Sequence, residues 1–196
     1  MLFRSGFLNK REDSIFYKQK SIKTKRAINN LFFNKKTGLY IDGENSTHSS
    51  LHANMFPLAF KIVPKEYAQN VLSYVKTKKM ACHVYGAQYL LDGLFNYNQA
   101  DYAYELLTSR GERSWWNMMQ KESTMTTEVW EIKFKNNADW SHAWVTAHLN
   151  IISRRIWGIQ PLKPGWDEII IKPQFAKLKE STIKIPIKEG VLIASF

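Results

Sequence analysis

The sequence holds a single cysteine, Cys82, among 196 residues. One thiol excludes an intrachain disulfide and leaves the redox compartment open. No apolar run approaches the ~18 residues of a membrane span. Acids are scarce: 17 Asp and Glu stand against 28 Lys and Arg, for a net charge of +11. Neither a G-x-S-x-G elbow nor a glycine-rich phosphate loop occurs, so Ser/His/Asp chemistry and nucleotide cradling have no sequence support. The opening MLFRSGFLNKRED lacks the apolar stretch of a signal peptide. The chain as given is therefore expected to stay in the cytoplasm; a true start elsewhere would leave the periplasm or the exterior open, so localisation is undecided.

What is present is apolar and aromatic. The chain is 44% hydrophobic and 14% aromatic, with seven tryptophans. That supports a sizeable core and argues against global disorder. Aromatic surface of this density either lines sugar or base pockets or fills a large core. The positive charge is concentrated: residues 1–36 carry ten Lys and Arg against two acids. They lie on a lysine-rich stretch without a stacking pattern, which reads as a solvated helix face. A nucleic-acid partner is not expected, and no membrane partner either. Cys82 sits beside His83, but adjacent residues on a helix or strand point apart, and a buried structural thiol is the better reading.

Apolar spacing predicts helices up to about residue 158. The first covers 12–33, with Ile15, Ile22, Ile28, Leu31 and Phe32 as a loose stripe. NKKTG breaks it, and LYIDGENSTHSS reads as a short extended piece and a loop. Ser46 or Thr47 is placed to cap a helix over 49–62. Pro64 restarts the chain at a helix N-terminus. Helices follow over 84–98 and from Gln99 to Gly111, then the short aromatic SWWNMM. Asp139 or Ser141 is placed to cap a last helix over 141–156, ending near Gly158. Gly86 and Gly93, seven apart, permit close helix packing. Beyond Gly158, IIIKP and STIKIPIKEGVLIASF read as strands, with a turn at residues 189 and 190. This gives two regions: helical hairpins over 1–158, and the start of a β domain over 159–196.

The sharpest chemical candidate lies in TMTTEVWE. Glu128 stands two residues before Trp130, with Trp140 and His142 close behind. A carboxylate beside tryptophans can act as a general base on water, because apolar walls raise its proton affinity and exclude solvent. Glu131 is its neighbour: it shares a face with Glu128 on a helix and opposes it on a strand. The plain alternative is that both are loop acids. His48 and His52 are four apart, as helical metal ligands are, but HSSLH lacks the intervening acid of a metalloprotease helix. His142 and His148 do not share a helix face. No metal and no cofactor is expected.

Several ordered motifs resemble one family. GLYIDGENSTHSSLHANMFPLAF, MACHVYGAQYLLDGLF, SWWNMM, TMTTEVWE and DWSHAW are similar to the C-terminal half of the catalytic domain of bacterial α-L-rhamnosidases. IIIKPQF after WGIQPLKPGW resembles the entry into their C-terminal β-sandwich. The resemblance covers about residues 25–196. It implies a mainly α chain, part of an (α/α)6 barrel of helical hairpins, and hydrolysis of terminal α-L-rhamnosides with inversion. It assigns the base role to Glu128 through E-x-W, sugar contact to His142, and pocket-shaping roles to Trp130, Trp115 and Trp140, with His48 matched through the THSS loop. The implied partner is a rhamnose-containing glycan or glycoside. The family's general acid lies in an earlier, acid-rich motif, and nothing in residues 1–40 matches it. About six or seven helices are counted where a closed barrel has twelve. The resemblance therefore implies a shortened chain, inactive alone and completed by the missing N-terminal half of the barrel or by a second chain. The alternative is a non-catalytic remnant that binds sugar or packs against a partner.

Overall fold

The structure, a computed structural model, describes residues 2–188 and 190–196. Among the described residues there are eight α-helices and three small antiparallel sheets. A short helix α1, Leu2–Phe7, leads into the long α2, Arg11–Leu31. The predicted basic face of α2 is exposed, but so is much of its apolar stripe. Ile15, Ile22 and Leu31 are exposed, and Ile28 and Phe32 are only partly covered.

NKKTG turns the chain into a hairpin of β1, Phe33–Asn34, and β2, Leu39–Tyr40. The buried Asn54 amide then treats β2 as a strand partner. Its Oδ1 accepts from Tyr40 N (3.0 Å), and its Nδ2 donates to Tyr40 O (3.0 Å) and Ser50 O (2.9 Å). Every polar group in this knot is paired, as burial demands. The Tyr40 hydroxyl donates to Asn29 Oδ1 (2.7 Å), tying α2 to the hairpin.

Helix α3 runs Leu51–Ala59, shorter than the 49–62 expected. Ser50, not Ser46 or Thr47, caps it, accepting from Ala53 N at 3.0 Å. Ser46 is instead held inside the loop by His48 N (3.1 Å). The helix stops because Lys61 enters the left-handed region, φ +55°, and Ile62 N bonds back to Pro57 O. A 3₁₀ turn, Lys65–Tyr67, opens behind Pro64 as expected and leads into α4, Ala68–Lys78.

Helix α5, Val84–Asn96, is the centre of the molecule. It packs on α3, and Gly93 is the closest approach: a Cβ there would stand 2.9 Å from Leu58 Cβ and 3.3 Å from Ala59 N. Met55, Val71, Val75, Leu90, Leu91 and Leu94 close the core between α3, α4 and α5. Helix α6, Ala100–Leu107, ends one turn earlier than expected, its Thr108 hydroxyl satisfying Tyr104 O. Then comes α7, Trp115–Gln120.

The expected helix 141–156 is broken into three. A 3₁₀ turn, Ala143–Val145, precedes α8, Ala147–Ile151, which widens into a π-helical turn, Ile152–Ile156. Neither Asp139 nor Ser141 caps it: Asp139 is engaged with the Glu128 loop, and the Ser141 hydroxyl points to Met125 Sδ. The wide turn puts two consecutive arginines on one acid of α5. Arg154 Nη2 is 2.8 and 2.9 Å from the two Asp92 oxygens, and Arg155 Nε is 2.6 Å from Oδ1.

Gly158, φ +65°, then lets the chain pass under Lys172 O, where a Cβ would stand 1.9 Å away. A strand the sequence did not mark, β3, Ile159–Pro161, pairs with the expected β4, Ile169–Ile171, and the expected β5, Thr182–Ile187, pairs with β6, Gly190–Ser195. Of the expected turn at 189 and 190, Glu189 lies outside the described residues, while Gly190 pairs with Ile187. Phe196 and Phe175 stack at 3.6 Å between ring centres, both against Trp157, so the strands are docked on the helical core.

Candidate active site

The segment 123–142 is neither helix nor strand around its acids, so the face-sharing question about Glu128 and Glu131 has a third answer. Two stretches of loop run side by side in opposite directions. Glu128 N donates to Asp139 O (2.9 Å), and His142 N donates to Thr126 O (3.0 Å). The KFKNNAD stretch between them folds back through a 3₁₀ turn, Ile132–Phe134. This return brings Glu128, Asp139 and His142 together, with one ligand-type atom of each within 4.8 Å of the others.

Glu128 is held at both oxygens. Lys135 Nζ reaches Oε1 at 2.6 Å, and Asp139 N donates to Oε2 at 3.1 Å. The Lys135 bond, helped by the Asp139 N–H, holds the carboxyl below its ordinary value. This corrects the expectation that apolar walls raise its proton affinity: a cation and an amide dominate the small cost of desolvation. Glu128 is thus an ionised carboxylate at neutral pH. His142 Nδ1 faces Asp139 Oδ2 at 3.3 Å, and the His142 side chain is 20% exposed.

Glu131 has a different task. Asn117 of α7 donates from Nδ2 to Glu131 Oε2 (3.2 Å) and to Trp130 O (3.1 Å). The Asn117 bond is the main cause of a lowered Glu131 pKa, with Lys121 adding to it. Glu131 therefore anchors the loop to α7, whose own start is fixed by the buried Ser114 cap (3.1 Å to Asn117 N).

The indoles divide. Trp130 is 4% exposed, and its Nε1 donates to Cys82 O at 2.7 Å. Trp115, also buried, meets it edge-on at 5.0 Å and lies 4.9 Å from the His148 ring. These two back the loop from within the core. Trp140 is 56% exposed and stands at the rim of a shallow groove, with Asp139 and Glu131 beside it and Val129 and Trp130 as its floor. His48 pairs through Nδ1 with Asp42 on an outer loop and makes its contacts there, not with the Glu128 loop. His52, four residues on, lines a separate groove together with Trp130. The only metal-type grouping among the described residues is Glu128, Asp139 and His142. The Lys135 ammonium on Glu128 opposes a second cation there. Cys82 is buried and its thiol is pushed up to about 12 by that burial, which fits the structural reading.

Sequence reasoning missed Lys135, Asp139 and Asn117. The signal for the first two was the turn-forming NNAD, which returns the chain to Glu128. For Asn117 it was only a polar residue inside an aromatic helix.

Against known proteins, the bacterial α-L-rhamnosidase 6 hairpin glycosidase domain matches residues 4–156, well over half of the chain. No curated protein is matched by the sequence. Among solved structures, an α-L-rhamnosidase from Dictyoglumus thermophilum superposes with a TM-score of 0.80 at 24% identity, over 97% of this chain and 22% of that one. An Aspergillus terreus α-L-rhamnosidase gives 0.79 at 19% identity, over 99% and 23%. A Streptomyces avermitilis α-L-rhamnosidase complexed with L-rhamnose gives 0.72 at 18% identity, over 93% and 18%. At these identities the likeness is one of fold, and the chain spans about a fifth of each of these proteins. The match over residues 4–156, on a fold of helical hairpins, places the chain in the bacterial α-L-rhamnosidase six-hairpin glycosidase family.

Proposed function

We propose that this chain carries the water-activating half of an α-L-rhamnosidase site, with Glu128 as general base. The observation that carries the reading is the environment of Glu128. It is ionised, fixed at both oxygens, and next to His142 in a loop braced by α7. An ionised carboxylate fixed in place is the correct charge state for taking a proton from water as it attacks an anomeric carbon. His142, beside it, and Trp140, on the adjoining groove, are assigned to sugar contact. Family membership and the rhamnose-bound relative support a terminal α-L-rhamnoside as substrate.

The reaction assigned is inversion. Inverting pairs need carboxyls about 6.5–9.5 Å apart, with room for a water. Asp139 is within 4.8 Å of Glu128 and sits on the neighbouring stretch of the same loop, so it is not the acid of such a pair. The proton donor to the leaving group is assigned to a part of the complete enzyme outside these residues. Residues 1–158 are assigned to the catalytic domain and 159–196 to the start of a β domain.

A substrate with a good leaving group tests this without the acid. On 2,4-dinitrophenyl α-L-rhamnoside the aryloxide departs unprotonated, so hydrolysis depends on the base alone. Glu128→Gln is expected to lower the rate about 10²–10⁴-fold, and proton NMR of the wild-type reaction is expected to show β-L-rhamnose first. Equal rates in both proteins remove the role of Glu128; α-L-rhamnose first removes inversion.

A further inference from the structure

A second groove, with room for about 200 Å³, shares Val129 and Trp130 with the site. It is completed by His52, His83, Arg113 and Phe134, and no carboxylate lines it. Arg113 lies with its guanidinium carbon 4.7 Å from the Phe134 ring centre. That stacking leaves the guanidinium edge free to donate. Among the described residues none of His52, His83 and Arg113 forms an ion pair or a side-chain hydrogen bond. The acid that acts on His52, Asp42, is already taken by His48 and by Ser50 N (2.8 Å). Three nitrogen-rich side chains thus converge on an aromatic wall with no anion among them.

We infer that this groove is a subsite for a carboxylate-bearing sugar, a uronic acid unit adjoining the rhamnose. Arg113 is suited to a two-pronged bond with the carboxylate, His52 and His83 to its remaining lone pairs or to hydroxyls, and Trp130 and Phe134 to apolar contact with the sugar's C–H groups. A volume below that of a drug-sized pocket fits a single sugar unit. Val129 and Trp130, the two residues after Glu128, line both this groove and the one beside Trp140. The inference rests on the rhamnosidase reading for its place in a substrate, but the groove's preference for an anion stands on its own residues. Charge-assisted bonds to a carboxylate recognise it against a neutral group of similar shape.

The test is calorimetric binding to the full chain of D-glucuronate, D-glucose, L-rhamnose and inorganic phosphate, each as the sole probe. Glucuronate is expected to bind about tenfold or more tightly than glucose, which carries a neutral hydroxymethyl group in place of the carboxylate. Arg113→Gln is expected to remove that advantage, and Arg113→Lys to keep part of it, with circular dichroism showing both folded. His83→Ala, at an exposed position, is expected to weaken glucuronate without altering the fold. Equal binding of glucuronate and glucose overturns the inference. So does phosphate binding as tightly as glucuronate with the same dependence on Arg113, which would mark a general anion site. Glucuronate binding with no binding of rhamnose would keep the subsite and count against the rhamnosidase reading instead.

Discussion

Single contacts decide the chemistry of this site. Glu128 is set by Lys135 and the Asp139 amide, both reached only because the chain folds back on itself. Its folded pKa lies below the ordinary carboxylate value, so whatever this pairing adds to stability is present above that value and is lost as pH falls through the lowered one. Lys135→Met is expected to move the Glu128 titration back up toward the ordinary range. Carbon-13 NMR of the glutamate carboxyls would follow it directly; an unmoved titration would mean that Lys135 does not govern the charge. The role proposed for Glu128 came from the family resemblance, through E-x-W. Its environment was not legible. The sequence showed tryptophans nearby and pointed to apolar walls, but Trp130 and Trp115 turn into the core and spend their surface on each other. Proximity along the chain does not say which way an indole faces. Lys135, seven residues on, was invisible because only a loop without periodicity brings it back.

At the scale of elements, periodic signals served well and capping signals served poorly. Helix α5 and strands β5 and β6 follow the spacing of their apolar residues, and Gly93 is the close-packing glycine its position suggested. Ser46, Asp139 and Ser141 were equally good caps on paper, yet each is claimed by another partner in a loop. The last helix broke for a similar reason. Arg154 and Arg155, consecutive in the π-helical turn, are both claimed by Asp92. Asp92 is therefore the pin between α5 and the 152–156 turn. Asp92→Asn leaves two largely covered guanidiniums without a counter-charge, and the expected cost is about 3 kcal/mol. Urea unfolding measures it, and a loss below about 1 kcal/mol would show that the pair is too wet to matter.

The whole molecule is lopsided. Its core lies between α3, α4 and α5, with the strands docked on Trp157, while α2 carries Phe16, Ile15 and Ile22 in the open and Phe60, just past the end of α3, is 63% exposed. Lysines flank these apolar groups along α2. Exposed apolar surface of this kind binds hydrophobic dyes. The folded chain is expected to enhance 8-anilinonaphthalene-1-sulfonate fluorescence severalfold over a typical folded monomer, and Phe16→Ser with Phe60→Ser to abolish most of it. No enhancement would mean that these faces are covered in solution. Among the described residues no helix is long and apolar enough to cross a membrane.

The role proposed for Glu128 is to deliver a nucleophile to the face of the sugar opposite the leaving group. Chemical rescue tests that most directly. With 2,4-dinitrophenyl α-L-rhamnoside, Glu128→Ala is expected to be nearly inert in buffer and to regain turnover when azide is added, because azide needs no base and fits the space left by the carboxylate. The product predicted is β-L-rhamnosyl azide, identified by NMR. Wild-type turnover by Glu128→Ala without azide would contradict the account.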